Sequence, residues 1–460
     1  MPHTDTIAAV STPRGTGGIA VIRISGAGAF ECASRVFVPS SGISPIDAIH
    51  SHAYHGSINR GGVIIDDGIA TFFRAPRSFT GEDTVEISCH GGALITSEVL
   101  AAVFAAGARP AEAGEFTRRA FMSGKITLSE AEAVGEIIHA KTSAQLALSS
   151  PKARSGLSRE VGELCRSLTE LIARVAVRID YPEEDLGDIN DEELLAECES
   201  LSLRLHKLCS TYRTARAVCE GINTVICGRP NAGKSTLYNL FTGEESAIVT
   251  DIPGTTRDTL TADVSAGIVL LHISDTAGIR DTDDKVEAIG VTRARDSISR
   301  AELLITVHDS TAGPTDEDRE ILSSPVPFKI AVINKTDSGD ADFISEYEKL
   351  ARAMGATPVR ASLIGRGGFD SIVSEIEDAF TDGRLTLGDD AVIFSARQSA
   401  EAEAADGSVT SAVDALRRGL PVDIAVSELE GALAALSRLD GRDVADDVIS
   451  EIFSKFCVGK

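Results

Sequence analysis

The segment GRPNAGKS, residues 228–235, has the spacing GxxxxGK[ST], which is typical of a loop that binds phosphates. It follows the apolar run TVIC and precedes STLYNLF, so the pattern predicts a strand, a glycine-rich loop and a helix in that order. In such a loop backbone N–H groups surround the phosphates, Lys234 neutralises the β- and γ-phosphates, and the Ser235 hydroxyl can ligate Mg²⁺. A glycine-rich turn before a helix would explain the loop alone, but not the motifs that follow it.

A second motif, DTAG at residues 275–278, predicts how the site would sense a γ-phosphate and what it lacks for hydrolysis. Asp275 can hold the Mg²⁺ shell, and the Gly278 amide can contact the γ-phosphate. The next residue is Ile279, where Ras-like switches place a glutamine that orients the attacking water. Hydrolysis therefore needs another group to orient the attacking water. Glu287 is a candidate, although from the residues alone an acid favoured by a helix dipole is the simpler interpretation.

A third motif, NKTD at residues 334–337, predicts that the base is guanine. It follows the apolar run KIAVI, and the Asp337 carboxylate can accept hydrogen bonds from the guanine N1–H and exocyclic amine, which adenine does not offer. The segment ASL at 361–363 is a weaker fifth element that would bring Ser362 and Leu363 near the base.

Length and composition predict a cytoplasmic protein of two or three domains. At 460 residues the chain exceeds the roughly 100–200 residues of one domain, and no apolar run approaches the roughly 18 residues of a membrane span. The start lacks the pattern of a secretory signal, and the eight cysteines form no CxxC pair, as is typical of reduced thiols. Because the net charge is −25, contact with nucleic acid is expected only through a local patch or a partner.

The first part of the chain predicts a small α+β domain followed by helices. Short β-type runs at 19–24, 62–73 and 84–92 are separated by Gly and Pro. From about Lys125 the apolar period becomes helical, and one long helix is expected to end before Pro182.

The second part of the chain predicts an α/β unit inserted between helices. A helix is expected between about Asp191 and Ala215, and from Asn223 short apolar runs alternate with helical lengths, which is typical of a mostly parallel sheet covered on both faces. After about Asp382 the chain is helical again. Because neither helical block has an obvious partner of its own, the two are expected to pack together.

Seven motifs spread over almost the whole chain resemble the MnmE family of tRNA uridine modification GTPases, also called TrmE. In chain order they are DTIAAVSTPRGTGGIAVIRISG at 5–26, SFTGEDTVEISCHGG at 78–92, GEFTRRAFMSGKITLSEAEAV at 114–134, IDYPEED at 179–185, GRPNAGKS at 228–235, DIPGTTRD at 251–258 and FCVGK at 456–460. The Der and Era ribosome-assembly GTPases share the G motifs but not the amino-terminal block or the FCVGK end.

The resemblance implies a multidomain α/β and α fold. It places an N-terminal α+β folate-binding and dimerisation domain at 1–122 and the first part of a discontinuous helical domain at 123–218. An inserted Ras-like α/β P-loop G domain would occupy 219–382. The second helical part, with the CVGK motif, would occupy 383–460.

The resemblance also implies an activity and its partners. The protein would hydrolyse GTP to GDP and, with a flavin-bearing partner, MnmG, add a carboxymethylaminomethyl group to carbon 5 of the wobble uridine of certain tRNAs. A reduced folate, 5-formyl- or 5,10-methylene-tetrahydrofolate, would be the one-carbon donor. Mg²⁺ and K⁺ would act with GTP, and FAD would belong to the partner. The family implies a homodimer, a heterotetramer with MnmG and contact with tRNA, but no membrane and no DNA.

By motif position the resemblance assigns a folate site to Arg23, Glu86, Lys125 and Lys460. This set is chemically sensible, because a pterin presents amide and amine edges to a carboxylate and a glutamate tail to cations. Cys457 would lie beside the site and is a candidate for chemistry. Each residue alone would be an ordinary surface charge or thiol.

The resemblance assigns the remaining roles within the G domain. Glu287 would orient the water and Lys234 would act with it in catalysis, while Ser235 and Thr256 would hold Mg²⁺. The K⁺ ligands would be Asn231, Thr250, Ile252 and Thr255. The residues expected to contact GTP are Asn231, Ala232, Gly233, Lys234, Ser235, Thr236, Thr250, Asp251, Ile252, Pro253, Gly254, Thr255, Thr256, Asp275, Thr276, Ala277, Gly278, Asn334, Lys335, Asp337, Ser362 and Leu363.

One segment departs from the family, and two other functions compete. FSARQSAEAEAA at 394–405 has fewer arginines than the family shows there, which weakens the expectation of a basic contact to tRNA or the partner. A Der/Era-like ribosome-assembly switch is disfavoured by the amino-terminal motifs and CVGK. A folate enzyme with a vestigial G domain is disfavoured by the intact Lys234, Ser235, Asp275 and Asp337.

Overall fold

The helices and strands of the protein are taken from a computed structural model, which describes residues 5–13, 15–180, 190–243, 247–248, 261–274, 297–381, 391–442 and 444–459. The strands are β1 (Ile7–Val10), β2 (Ile19–Ser25), β3 (Phe37–Pro39), β4 (His52–Arg60), β5 (Val63–Phe73), β6 (Thr84–His90), β7 (Arg109–Pro110), β8 (Ile222–Cys227), β9 (Ala247–Ile248), β10 (Thr261–Ala266), β11 (Val269–Ser274), β12 (Leu303–Asp309), β13 (Phe328–Asn334) and β14 (Thr357–Arg360). The helices are α1 (Ala29–Val36), α2 (Ala93–Ala105), α3 (Glu115–Met122), α4 (Leu128–His139), α5 (Ser143–Leu148), α6 (Pro151–Asp180), α7 (Asp191–Cys219), α8 (Lys234–Phe241), α9 (Asp316–Leu322), α10 (Ala341–Ala353), α11 (Phe369–Phe380), α12 (Ala396–Arg417), α13 (Val422–Asp440) and α14 (Asp446–Ser454).

The chain divides into two units, each built from segments that are distant in sequence. The first unit comprises Met1–Gly135, Val161–Ile189 and Arg418–Lys460. The second unit comprises Glu136–Glu160 and Asn190–Arg417. The bounds of the four segments expected from the sequence stay a prediction.

The first unit contains a seven-stranded sheet in the order β3-β4-β5-β6-β2-β1-β7. Its neighbouring strands are antiparallel except for β1 and β7, which are parallel. Because side chains alternate along a strand, Ile22, Ile24 and Ile87 enter the core while Arg23 and Glu86 share the opposite face. The predicted β-type runs are thus confirmed as β2, β5 and β6.

Helices of the first unit cover this sheet and form a second apolar cluster. The α2 residues Val99 and Val103 belong to the core of the sheet. Leu128 of α4 packs with Ile449 and Phe453 of α14. Helix α6 spans Pro151–Asp180, and Pro182 lies outside the described residues, so the expected end of this helix stays a prediction.

The second unit contains a mostly parallel seven-stranded sheet in the order β14-β13-β12-β8-β11-β10-β9. The first five strands of this order are parallel, and β10 pairs antiparallel with β11 and β9. Leu237 and Ile372 join one apolar cluster of the sheet, and Leu350 joins another with Ala331. The predicted parallel α/β unit is confirmed, and the carboxyl ends of its strands meet at one edge.

Helices from before and after this sheet pack together within the second unit. His206 of α7 lies 3.3 Å from Asp406 of α12, and Arg417 lies 2.8 Å from Glu199, so the two helices run antiparallel. The expected pairing of the two helical blocks is confirmed here, with α7 continuing to Cys219, past the expected end near residue 215. Across the residues that the structure describes, every helix is too short or too polar to span a membrane.

Candidate functional site

The phosphate loop lies between β8 and α8, and two glycines fix its path. Gly228 has φ +142°, and a Cβ there would lie 2.2 Å from the Val307 carbonyl oxygen. Gly233 has φ +113°, and a Cβ there would lie 2.2 Å from Asn334 Nδ2. Both positions therefore require glycine on grounds of conformation and space. The loop predicted from GRPNAGKS is in place, and α8 begins at Lys234.

The Lys234 side chain lies back over this loop. Its Nζ donates to the carbonyl oxygens of Gly228 at 2.8 Å and Arg229 at 2.7 Å. The dipole of a helix favours an anion at its N-terminus, so a cation at the start of α8 suits a bound phosphate. Ser235 and Thr236 follow in the first turn of α8, with Ser235 exposed.

Asn231 occupies the turn of the loop with φ +61°, in the left-handed region that asparagine tolerates better than most residues. Its side chain is exposed, whereas the following Ala232 is buried. The conformation alone is that of a turn asparagine. The position is accessible to an ion or a ligand.

Asn334, at the end of β13, joins the phosphate loop to the segment expected near the base. Its Nδ2 donates to the Ala232 carbonyl oxygen at 2.8 Å, and its Oδ1 accepts the Leu363 N–H at 3.1 Å. The side chain is buried, so both bonds are shielded from water. The structure therefore brings three separate sequence motifs into one site.

Asp337 and Ser362 meet directly. Ser362 Oγ donates to Asp337 Oδ1 at 2.6 Å, and the Thr336 N–H donates to the Ala361 carbonyl oxygen at 3.1 Å. Asp337 is exposed, so its carboxylate is accessible to a base. The weaker ASL element thus lies beside NKTD, and its contact with the base stays a prediction.

Lys335 has a partner that the sequence analysis missed. Its Nζ lies 2.5 Å from Asp309 Oδ2, and Asp309 stands opposite Asn334 at the end of β12. Burial opposes ionisation of Asp309, but hydrogen bonds from Lys335 and Thr311 lower the pKa of this carboxyl below its usual range. The signal available in the sequence was the position of Asp309 as the last residue of a mostly apolar strand, at the edge where parallel strands end.

The switch segments lie outside the described residues. The predicted site residues affected are Thr250, Asp251, Ile252, Pro253, Gly254, Thr255, Thr256, Asp275, Thr276, Ala277, Gly278 and Glu287, together with Lys460 of the folate set. Their roles stay predictions.

Arg23 and Glu86, two of the expected folate residues, form an ion pair in the first unit. They stand opposite each other on β2 and β6, and Arg23 Nε and Nη2 lie 2.9 and 2.8 Å from Glu86 Oε1. The Arg23 guanidinium carbon is 5.1 Å from the Phe79 ring centre and 5.6 Å from that of Phe116. Cation–π contacts with both rings stabilise this position of the guanidinium.

Lys125 and Cys457 contact the segments that carry Phe79 and Phe116, the two rings near Arg23. Lys125 Nζ donates to the carbonyl oxygen of Pro76 at 3.0 Å, on the loop that carries Phe79. The Cys457 carbonyl oxygen accepts the Gly114 N–H at 3.4 Å, two residues before Phe116. Cys457 is also the exposed member of the eight cysteines.

A cavity of about 760 Å³ opens elsewhere in the first unit. Gly17, Thr96, Phe104 and Val458 are among the residues that line it. Arg23, Glu86 and Lys125 are not among its lining residues. The cavity and the Arg23–Glu86 pair are therefore separate features of this unit.

Comparisons with known proteins match nearly the whole chain. Residues 6–125 match the family described as the GTP-binding protein TrmE N-terminus, and residues 128–457 match the MnmE helical domain. The chain is 40% identical over 463 residues to the tRNA modification GTPase MnmE of Moorella thermoacetica, with 99% of each chain covered. It is 40% identical over 465 residues to that of Geobacillus thermodenitrificans, with 100% of both covered. Among solved structures, the G domain of the T. maritima FeoB iron transporter is 23% identical, with 34% of this chain and 96% of that chain covered and a TM-score of 0.26.

Proposed function

This chain belongs to the MnmE family of tRNA modification GTPases, and from that membership we propose that it binds and hydrolyses GTP as a step of tRNA modification. The observation that best supports a nucleotide site is the pair of hydrogen bonds that the Asn334 side chain makes with the backbone of Ala232 and Leu363. They join the phosphate loop to the loop expected to read guanine. The amino-terminal match at residues 6–125 disfavours a Der/Era-like ribosome-assembly switch.

Phosphate release by the purified full-length chain tests this function. With Mg²⁺, the chain is expected to hydrolyse GTP and leave ATP unchanged, because Asp337 can accept both guanine donors. Lys234→Ala should abolish turnover, since it removes the cation that neutralises the β- and γ-phosphates. Lys349→Ala, at an exposed position of α10 in the same unit, is the matched control. Equal hydrolysis of ATP and GTP, or an active Lys234→Ala variant, would contradict the function.

We infer that the modification is the addition of a carboxymethylaminomethyl group to carbon 5 of the wobble uridine, made with the flavin-bearing MnmG and with a reduced folate as donor. Support for the folate comes from the Arg23–Glu86 pair, with Lys125 close by. A carboxylate beside cations matches the amine edge and the glutamate tail of a folate.

Titration with 5-formyl-tetrahydrofolate tests the folate inference. Glu86→Gln should weaken binding, because an amide cannot replace the charged acceptor. Glu98→Gln is a matched control, since Glu98 also pairs with an arginine, Arg60, in the same unit. Equal affinity of the wild type and Glu86→Gln would reject the assigned site.

We propose that K⁺ assists hydrolysis, with Asn231, Thr250, Ile252 and Thr255 as its oxygen ligands, and that Glu287 orients the water. A cation near the transferred phosphoryl group lowers the barrier to phosphoryl transfer. The exposed position of Asn231 in the turn of the loop supports its part in this assignment. Mg²⁺ would be held by Ser235 and Thr256.

The assembly is likewise proposed. The protein would act in the cytoplasm as a homodimer joined through residues 1–122, and as a heterotetramer with MnmG. The helical domain would comprise 123–218 and 383–460, with the G domain at 219–382 between them.

A further inference from the structure

A polar cluster lies next to the phosphate loop and is formed by the buried His308, Asp318 and Tyr347 and by Arg229, whose side chain is 23% exposed. The side chains of His308 and Asp318 are 0% exposed, and Tyr347 is 1% exposed. They come from β12, α9 and α10, while Arg229 is the second residue of GRPNAGKS. The roles assigned above to GTP contacts and hydrolysis use none of these four side chains.

Asp318 is the fixed negative charge of the cluster. His308 Nδ1 lies 2.9 Å from Asp318 Oδ1, and the Thr315 N–H and Oγ1 donate to Oδ2 at 2.9 and 2.8 Å. Burial opposes ionisation, but these hydrogen bonds hold the pKa of Asp318 well below its usual range. A buried carboxylate of this kind requires a compensating cation.

Arg229 supplies that cation through its side chain. Its Nε lies 3.5 Å from Asp318 Oδ2, and its Nη2 donates to Tyr347 Oη at 3.0 Å. Tyr347 Oη lies 3.3 Å from Asp318 Oδ2. Burial and the Asp318 charge raise the pKa of Tyr347 to about 12, so the hydroxyl stays protonated and links the two charges.

The backbone of Arg229 is at the same time part of the phosphate loop. Its carbonyl oxygen accepts Lys234 Nζ at 2.7 Å and the Ala232 N–H at 3.4 Å. One residue therefore anchors its side chain in the polar cluster and shapes the loop with its main chain. A loop that is ordered before a ligand binds avoids the entropy cost of ordering on binding.

We propose that Arg229 is a positioning residue, held by Tyr347 and Asp318, that keeps the phosphate loop preformed for the triphosphate of GTP. The inference rests on the proposed function, since it concerns the loop of the same nucleotide site. A merely structural cluster would change the stability of the fold but not the affinity for nucleotide at temperatures where the protein is folded.

Nucleotide titrations on the full-length chain with Arg229→Met, Tyr347→Phe and the double variant test the proposal. Tyr347→Phe removes one hydroxyl and keeps the ring that stacks on His308, with ring centres 4.9 Å apart. Each single variant should bind GTP about tenfold more weakly, which corresponds to the loss of one hydrogen bond to a charged group. The double variant should bind GTP no more weakly than Arg229→Met, because both substitutions remove the same hydrogen bond between Arg229 and Tyr347. The ratio of GTP to ITP affinity should stay unchanged, since the base is read by Asp337.

A conservative variant and a matched pair separate positioning from stability. Arg229→Lys keeps a charge near Asp318 but loses the planar fork, so its affinity should lie between those of the wild type and Arg229→Met. Arg360→Met and Glu348→Gln break a pair between β14 and α10, the helix that carries Tyr347, with a distance of 2.7 Å between Arg360 Nε and Glu348 Oε1. Arg360 is exposed, and these two variants should bind GTP as the wild type does.

The results separate a failure of the proposed GTPase function from a failure of the positioning role of Arg229. Wild-type protein that fails to bind GTP would overturn the proposed function and this inference with it. Wild-type binding with unchanged affinity in Arg229→Met and Tyr347→Phe, alongside lowered melting temperatures, would overturn the inference alone. If the two single losses of GTP affinity multiplied in the double variant, the residues would act independently, and this would also overturn the inference.

Discussion

Asn334→Ala is expected to loosen both loops of the nucleotide site at once. Among the residues that the structure describes, its side chain supplies the bonds to the Ala232 carbonyl and the Leu363 N–H, at 2.8 and 3.1 Å. Ala232 and Leu363 are each 1% exposed, so water does not readily replace the lost partner. The substitution therefore leaves two buried backbone groups without a hydrogen bond.

The magnitude follows from those two groups. Each buried group left unpaired costs about 1–3 kcal/mol, so the local opening of these loops should become easier by at least about 2 kcal/mol. Since 1.4 kcal/mol is tenfold, amide exchange in the opened segment should accelerate roughly 30-fold. GTP binding, which would have to close the loops again, should weaken by at least about tenfold.

Hydrogen–deuterium exchange of the nucleotide-free chain measures this effect at the Leu363 amide, within a peptide that covers residues 361–367. A GTP titration on the same preparations measures the second effect. Asn239→Ala, the same substitution at an exposed position of α8, is the control and should leave both quantities unchanged. Wild-type exchange at Leu363 together with wild-type GTP affinity in Asn334→Ala would refute the role given to this side chain.

Three further predictions address the base, the monovalent ion and the first unit. Asp337→Asn should weaken GTP binding and favour xanthosine triphosphate, because an amide N–H can donate to the 2-keto group of xanthine; competition binding measures both. Asn231→Ala and Asn231→Gly should both abolish faster hydrolysis in KCl than in NaCl, while only the alanine is strained at φ +61°; persistence of the K⁺ effect in either would exclude the amide as a ligand. Burial opposes ionisation of Glu115, but Arg109, the Glu112 N–H and Arg119 lower its pKa to about 2, so its stabilisation is present above about pH 4.5 and lost as the pH falls toward 2. Thermal unfolding followed by circular dichroism should show Glu115→Gln destabilised at pH 7, with the difference from wild type shrinking below pH 4.

The α/β part of the chain was predictable because local patterns determine it. Apolar runs ending in Cys227 and Ile333, each followed by a polar motif, predicted strands of a mostly parallel sheet, in which the carboxyl ends of the strands meet at one edge. Glycines at 228 and 233 signalled a tight loop, and both are required by the space around them. The sequence placed both Asp337 and Ser362 near the base, and the structure brings the two side chains into direct contact.

The partners of buried polar groups were not predictable. His308 stands within an apolar strand, and nothing local indicates that Asp318 and Tyr347, which lie further along the chain, would surround it. The same holds for Arg119, which is 1% exposed and pairs with Glu82 and Glu115. Such contacts depend on how distant segments pack. Until that packing is known, a charged residue is predicted to lie on the surface.

The amino-terminal part of the chain was predictable only in part. The strands that carry Arg23 and Glu86 were expected, but their direct pairing depends on the antiparallel register of β2 and β6. Periodicity places a residue on a face of a strand but does not give its cross-strand neighbour. The residues themselves were assigned from the resemblance to the family.

The most direct test of the central claim is nucleoside mass spectrometry of tRNA from cells that lack this protein. We predict that their wobble uridines lose the carboxymethylaminomethyl group, and that wild-type protein restores it whereas the Lys234→Ala variant does not. Unchanged levels of the modified nucleoside in the absence of the protein would contradict its role in tRNA modification. Full restoration by Lys234→Ala would contradict the requirement for GTP hydrolysis.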